Sequence, residues 1–170
     1  MKNEYNLIAT AAFGLESLVK REVEQLGYPI TATENGRVYY TGDSEAIIDS
    51  NLWLRCSDRV LLKIGEFKAE TFDELYEQTK KLPWQKYIPK NGAFPAAKIT
   101  SVKSKLFSKS DGQRIVKKAV ADKLMAAYKT RTLPETGASF PIQIRILKDM
   151  VTLSLDTSGS GLHKRGYRQY

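Results

Sequence analysis

Residues 94–128 read FPAAKITSVKSKLFSKSDGQRIVKKAVADKLMAAY, and this stretch predicts a strand, a basic loop and a long helix. The apolar residues of the predicted strand are Ile99, Val102 and Leu106, set among Thr and Ser. Ser110 and Asp111 are candidate N-caps, because their side chains accept hydrogen bonds from the free N–H groups of a helix's first turn. The second half of the chain is built around this strand and helix.

The predicted helix carries one apolar stripe. Its apolar residues recur at spacings of three and four, which place them on one side of a helix. They are Ile115, Val116, Ala119, Val120, Leu124 and Ala127. Lys123 falls within the stripe, and its long side chain is expected to reach from there to solvent.

The same stretch is strongly basic. Six basic residues stand within sixteen positions, and Asp111 is the one acid among them. They are Lys103, Lys105, Lys109, Arg114, Lys117 and Lys118, of which the last three fall opposite the apolar stripe. From Ala97 onward the chain has 15 Lys and Arg against 5 Asp and Glu, whereas up to Ala96 it has 12 against 14. Each lysine alone is ordinary solvated surface, but the aggregate indicates a polyanionic partner such as a nucleic acid.

Phe107 is the one aromatic residue of the basic loop. Two roles remain open for it, which are stacking on a nucleotide and anchoring the loop. Tyr39, Tyr40 and Tyr76 stand in predicted strands or helices, where packing is the usual role of an aromatic ring. We therefore expect no base-stacking platform of the kind that an RNA-recognition motif displays.

The composition is that of a folded protein with one or two small domains. The chain has 170 residues, of which 42% are hydrophobic and 27% charged. No apolar run approaches the roughly 18 residues of a membrane span, and the N-terminus makes a poor signal peptide. Cys56 is the only cysteine, which excludes an internal disulfide and suits a reducing compartment. The sequence predicts a cytoplasmic protein without a membrane contact.

Residues 1–69 predict a ferredoxin-like unit. A short strand leads into the helix LESLVKREVEQLG, whose buried face is expected to hold Leu15, Leu18, Val19, Val23 and Leu26. Asn35-Gly36 joins two alternating strands and favours a type I′ turn. The helix SEAIIDSNLWL and the strand RVLLKIGEFKA complete the order β-α-β-β-α-β.

Residues 70–157 predict a second α+β unit. Thr71 and Glu74 form a capping box for its first helix, and a short turn follows. After the strand, loop and helix described above, a last hairpin turns at Lys148-Asp149. The order is therefore α-α-β-α-β-β.

The tail, residues 158–170, is basic and rich in glycine, so we expect it to be flexible. Its cations Lys164, Arg165 and Arg168 join the candidate RNA-binding residues. His163 is the only histidine of the chain, so neither a metal site nor a Ser-His-Asp set is indicated. The sequence also lacks a phosphate loop and a strand-linked Gly-x-Gly-x-x-Gly. These features favour a recognition module without catalytic residues or a metal.

Three stretches give the chain a family resemblance. They are LIATAAFGLESLVKREVEQLG at 7–27, the α-α-β-α-β-β order of 71–156, and DTSGSGLHKRGYR at 156–168. Together they resemble the N-terminal half of the bacterial THUMP-containing RNA methyltransferases, a group related to the large-subunit ribosomal RNA guanine-N2 methyltransferases. The resemblance spans essentially the whole chain.

The resemblance implies a ferredoxin-like domain followed by a THUMP domain that binds structured RNA, with rRNA ahead of tRNA as the partner. In this family a Rossmann-like domain uses S-adenosylmethionine to methylate a guanine exocyclic amine. That domain and its Asn-Pro-Pro-Tyr-like motif are not in this sequence. We therefore expect this chain to be a piece of a longer enzyme. By itself the chain should bind no cofactor and methylate nothing.

Two alternatives remain open. The parent enzyme could act on DNA, because the target-amine motifs of adenine DNA methylases and of these RNA enzymes look alike. A pair of ferredoxin-like units could instead sense a small molecule, although the sequence offers no glycine-rich ligand loop for one.

Overall fold

The computed structural model describes residues 3–159 and Leu162. Within them the fold is mixed α+β, with seven strands and four α-helices. The chain divides into two compact units. The first holds the residues up to Lys63 together with those from Asp156 onward, and the second holds Ile64–Leu155.

The first unit has the order β-α-β-β-α-β predicted for a ferredoxin-like domain. Its elements are β1 (Tyr5–Ala11), α1 (Glu16–Gln25), β2 (Ile30–Glu34), β3 (Arg37–Gly42), α2 (Ser44–Trp53) and β4 (Ser57–Lys68), the last of which continues into the second unit. The strands lie in the order β2-β3-β1-β4, and β1 pairs antiparallel with both β3 and β4.

The core of this unit lies between its sheet and its two helices. Val19 and Val23 of α1 are fully buried, as the periodicity predicts, but Leu15 and Leu18 remain 37% and 42% exposed. The apolar face of α1 is therefore narrower than the sequence indicated. Tyr40 is buried and donates a hydrogen bond of 2.7 Å to Ser50 Oγ of α2. Burial raises the pKa of Tyr40 to about 12.

The hairpin between β2 and β3 forms at Asn35-Gly36, but its turn is not type I′. A type I′ turn needs positive φ at both central residues, and only Gly36, at +76°, has one. Outside the hairpin, the carboxylate of Glu16 accepts the Gly36 N–H at 2.8 Å. The same carboxylate accepts the N–H of Gly14 at 2.9 Å. Glu16 therefore ties this turn to the start of α1.

These hydrogen bonds predict an acid-sensitive contribution to stability. The N–H groups of Gly36 and Gly14 favour the ionised carboxylate and lower the pKa of Glu16. The contribution is present above the unfolded pKa of glutamate and is lost as pH falls through the lower folded pKa. Glu16→Gln should therefore lose less stability than the wild type between about pH 6 and about pH 3, measured by urea unfolding. Glu24→Gln, on an exposed position of the same helix, should keep the wild-type profile, and an unchanged profile for Glu16→Gln would contradict the assignment.

The residues from Asp156 to Gly159 are held to the first unit. Arg59 pairs with Asp156 and donates to the Gly159 carbonyl at 2.6 Å. Thr157 donates to the Val60 carbonyl through its backbone N–H at 3.0 Å. Residues 156–159 are thus hydrogen-bonded in place, and the flexibility predicted for the tail does not extend to them. The rest of the predicted tail, apart from Leu162, lies outside the described residues.

The second unit begins with α3 (Phe72–Lys80), followed by a one-turn 3-10 helix at Trp84–Lys86. The side chain of Thr71 caps α3 by accepting the Glu74 N–H at 3.2 Å. Glu74 in turn accepts the N–H of Glu70, one residue before the cap, rather than that of Thr71 as in a standard capping box. The capping residue was therefore predicted correctly and the reciprocal bond is displaced by one residue.

The remaining elements of this unit are β5 (Ala96–Val102), α4 (Lys109–Tyr128), β6 (Ile142–Leu147) and β7 (Met150–Asp156). The strand order is β7-β6-β5, with β6 antiparallel to β7 and parallel to β5. The turn between β6 and β7 lies at Lys148-Asp149, as predicted, and both residues have the positive φ of a type I′ turn.

Helix α4 packs against β5 and α3. Its buried residues are Gly112, Val116, Ala119, Val120 and Leu124. Two sequence expectations at its start are wrong. Leu106 lies in the loop after β5 and not in the strand, although it is buried. The helix begins at Lys109 with Ser108 at its N-cap, so Ser110 and Asp111 lie inside the first turn. The glycine at 112 allows a close approach, since a Cβ there would come within 2.7 Å of Ile99 Cδ1.

Candidate nucleic-acid interface

The loop between β5 and α4 is fixed by hydrogen bonds to the β6–β7 turn. The Lys105 N–H donates to Asp149 Oδ1 at 2.8 Å, and the Asp149 N–H donates to Ser104 Oγ at 3.0 Å. Ser104 Oγ also donates to the Val102 carbonyl at 2.8 Å. Lys103 has φ of +49°, in the left-handed region, where the chain leaves the strand. The loop is therefore a defined surface that presents its lysines to solvent.

Lys103 and Lys109 are the most available cations of the predicted set. Both are exposed, and neither side chain forms a hydrogen bond or an ion pair with any residue that the structure describes. They lie at the two ends of the loop, and Lys109 is also the first residue of α4. An ammonium group without an internal partner can contact a phosphate without first breaking another interaction.

Lys105 lies between them but is already paired. Its Nζ is 2.9 Å from Glu70 Oε2, and Glu70 also meets Lys68 at 3.4 Å. The hydrogen bond with Lys105 lowers the pKa of Glu70 and raises that of Lys105. Exposed ion pairs of this kind are weak because solvent screens them, so a phosphate can replace Glu70 at low cost.

The three predicted residues on α4 share its outward face but diverge from one another. At 3.6 residues per turn, Lys118 lies about 40° to one side of Arg114 and Lys117 about 60° to the other. Arg114 is exposed and pairs with Asp111 one turn earlier, at 3.1 Å. The geometry therefore places Arg114 between the two lysines, which point about 100° apart around the helix axis.

Each of those lysines contacts an aromatic ring. Lys117 Nζ lies 3.3 Å from Glu135 Oε1 and 5.3 Å from the ring centre of Phe94. Lys118 Nζ lies 5.8 Å from the ring centre of Tyr76, on α3. The hydroxyl of Tyr76 donates to Asp122, and this hydrogen bond raises the pKa of Tyr76 to about 12.

Six of the nine predicted residues lie in this loop or on α4, and they differ in the partners that the fold gives them. Lys103 and Lys109 have no partner among the described residues, and Lys105, Arg114 and Lys117 form ion pairs. Lys117 and Lys118 also lie over aromatic rings. The partners that produce these differences were missed in the sequence, because Glu70, Tyr76 and Glu135 lie 18 to 42 positions away along the chain from the cations they meet. The predicted residues Lys164, Arg165 and Arg168 lie outside the described residues.

Other kinds of site find little support. Across residues 3–159, no three His, Cys, Asp or Glu side chains come together in a way that could hold a metal ion. Among the helices that the structure describes, none has both the length and the apolar character needed to cross a membrane. Cys56 is half-buried, and burial raises the pKa of its thiol.

Comparison with known families decides the identity of both units. Residues 6–61 match the RlmL ferredoxin-like domain, and residues 69–156 match the THUMP domain. The chain belongs to the THUMP-domain family. The loop from Lys103 to Ser108 and the outward face of α4 are therefore surfaces of the THUMP domain, and the unit that contains α1 and α2 is its ferredoxin-like neighbour.

The relatives of this THUMP-domain chain are longer proteins. It is 49% identical over 167 residues to the protein named "Putative RNA methyltransferase YpsC" of Bacillus subtilis (strain 168), and it covers 43% of that protein. It matches 43% of a solved structure from Listeria monocytogenes str. 4b F2365, named a "predicted N6-adenine-specific DNA methylase", with 54% identity and a TM-score of 0.94. It also matches 46% of SMU.472, solved in complex with SAH, with 44% identity and a TM-score of 0.92. The chain therefore spans less than half of the length of each of these three relatives.

A depression on the ferredoxin-like domain can be compared with the needs of S-adenosylmethionine, the cofactor that the resemblance implies for the longer enzyme. An open depression of about 300 Å³ on the ferredoxin-like domain is lined by Glu4, Tyr28, Asp43 and Glu45, among others. Asp43 is already used as the N-cap of α2, where it accepts the Ala46 N–H at 3.1 Å. Tyr28 donates to Asp49 at 2.6 Å. The depression is open to solvent and carries the carboxylates of Glu4, Asp43 and Glu45.

Proposed function

We propose that this chain is the RNA-binding, substrate-recognition half of an S-adenosylmethionine-dependent RNA methyltransferase. The observation that carries the proposal is the THUMP match over residues 69–156, on which the free cations Lys103 and Lys109 are presented by a fixed loop. The name of the Bacillus subtilis relative and the SAH bound to SMU.472 support a methyltransferase as the parent. Methyl transfer itself would belong to the part of the longer protein that this chain does not cover.

The RNA substrate is proposed to be 23S rRNA, with the exocyclic amine of a guanine as the methylated group. The support is the resemblance to the large-subunit rRNA guanine-N2 methyltransferases and the match to the RlmL ferredoxin-like domain. Transfer RNA is the alternative substrate within the same proposal. A direct comparison of the 170-residue chain with fragments of 23S rRNA and with tRNA tests this step, and a clear preference for tRNA would overturn the rRNA assignment.

DNA is the second candidate substrate, because the Listeria relative is named as an adenine-specific DNA methylase. Competition distinguishes the two. A labelled structured RNA is bound by the chain, and unlabelled duplex DNA or unlabelled RNA of equal length is added. We expect the RNA to compete and the DNA to compete weakly. Equal or stronger competition by DNA would contradict an RNA substrate, and thermal stabilisation by a metabolite without RNA binding would favour a sensing module.

A further inference from the structure

Phe107 is placed differently from the other apolar residue of its loop. The side chain of Leu106 is 5% exposed and anchors the loop, whereas that of Phe107 is 81% exposed. The anchoring role that the sequence left open for Phe107 therefore belongs to Leu106. An exposed phenyl ring does not stabilise the fold, because an aromatic side chain contributes to stability through its burial.

The backbone on both sides of Phe107 is held in place. On one side the Ser101 hydroxyl donates to the Leu106 carbonyl. On the other side the Ser108 carbonyl accepts the Gly112 N–H at 3.0 Å and so begins α4. The ring is consequently carried by a loop whose ends are fixed, and the backbone loses little entropy when a partner binds it.

The charges around this ring match a nucleic acid. Lys103 and Lys109, the two cations of the predicted set without partners among the described residues, lie within four residues of Phe107 on either side of it. An exposed ring flanked by free ammonium groups is the combination that single-stranded nucleic acids require, because the bases stack on the ring while the cations meet the phosphates.

We propose that Phe107 is a stacking site for an unpaired base of the RNA. The inference rests on the proposed function and adds to it, because a backbone-binding surface alone would not distinguish paired from unpaired nucleotides. The RNA that this surface fits best is then a stem with unpaired nucleotides beside it. Stacking depends on the π-face and not on the identity of the base, so the site should accept all four bases.

The test uses the 170-residue chain and two RNAs, a blunt hairpin stem and the same stem carrying about four unpaired nucleotides. Phe107→Ala should weaken binding of the second RNA by about five- to 100-fold and leave binding of the blunt stem unchanged. Phe107→Trp should restore the affinity, whereas Phe107→Leu should not. The slope of affinity against salt should be the same in all variants, because no charge is removed. A 2-aminopurine placed in the unpaired segment should be quenched by the wild type and not by Phe107→Ala.

Phe13→Ala is the matched control, since Phe13 is 85% exposed and lies in the ferredoxin-like domain. It should bind both RNAs as the wild type does. Equal affinity of Phe107→Ala and wild type for the RNA with unpaired nucleotides would overturn the inference, and so would an equal loss for both RNAs. If Phe107→Ala instead loses binding to anionic phospholipid vesicles and keeps RNA binding, the ring serves a membrane contact and the inference is wrong. Failure of the wild type to bind either RNA would overturn the proposed function itself.

Discussion

Reversing the charge of Lys103 and Lys109 together should weaken binding of a structured RNA by about 10- to 100-fold at moderate salt. Both side chains are exposed and make no ion pair within the described residues, so each is free to contact a phosphate. Each lost phosphate contact should also reduce the slope of log affinity against log salt by about 0.7 to 0.9. The double variant Lys103→Glu/Lys109→Glu, measured by fluorescence anisotropy across a salt series, checks both numbers.

Lys86 and Lys90 provide the matched control within the same domain. Both are exposed and lie in or just after the 3-10 helix, which meets the far end of α4 through hydrogen bonds from the Tyr128 hydroxyl to the Gln85 and Ile88 carbonyls. Twenty helical residues span about 30 Å, so these lysines are distant from the loop. Lys86→Glu/Lys90→Glu makes the same change in net charge. If it weakens binding as much as the loop variant does, the interaction is a general charge effect and the proposed surface is wrong.

Trp84→Ala should destabilise the THUMP domain by about 3–5 kcal/mol. The indole is fully buried, and its Nε1–H donates to the Thr79 carbonyl at 2.8 Å near the end of α3. The truncation leaves a cavity beneath α4 and removes one hydrogen bond to the Thr79 carbonyl, which still accepts the Leu82 N–H at 3.2 Å. The cavity therefore accounts for most of the lost stability. Urea unfolding followed by far-UV circular dichroism measures the change without relying on tryptophan fluorescence.

The chain's second tryptophan serves as the control. Trp53 ends α2 and is 62% exposed, so Trp53→Ala should change the free energy of unfolding by no more than about 0.5 kcal/mol. The loss of unfolding free energy in Trp84→Phe should lie between those of Trp84→Ala and Trp53→Ala, because this variant keeps most of the apolar volume and loses the hydrogen bond. A cost below about 1 kcal/mol for Trp84→Ala would show that the 3-10 helix is not part of the domain's core.

Local patterns predicted the elements of this fold well. The spacing of Val116, Ala119, Val120 and Leu124 predicted the buried side of α4, and the alternation in β6 and β7 predicted their pairing. Those signals are local, because a helix or a strand repeats its environment every few residues. Errors occurred where a distant residue intervened. Asn35-Gly36 was expected to form a type I′ turn, but Glu16 holds the Gly36 N–H and the turn adopts another geometry.

The sequence predicted which basic residues form the candidate site, but it did not predict which of them are free and which are paired. Counting charges identified the basic stretch, but a count cannot tell a free lysine from one that is paired across the domain. Lys105 meets Glu70 and Lys117 meets Glu135 only because the fold brings separate segments together. The exposure of Phe107 depends likewise on which neighbouring residue fills the space beneath the loop, and here Leu106 fills it.

Binding of the unmodified chain to a structured RNA between about 50 and 200 mM salt is the measurement on which the RNA-binding assignment depends. We expect measurable binding whose log affinity falls linearly with log salt, with a slope of about −1.4 or steeper for the two free lysines. Fragments of 23S rRNA should be bound more tightly than duplex DNA. Absence of RNA binding at the lowest salt, or an affinity that does not change with salt, would contradict the assignment of this THUMP domain as an RNA-backbone-binding module.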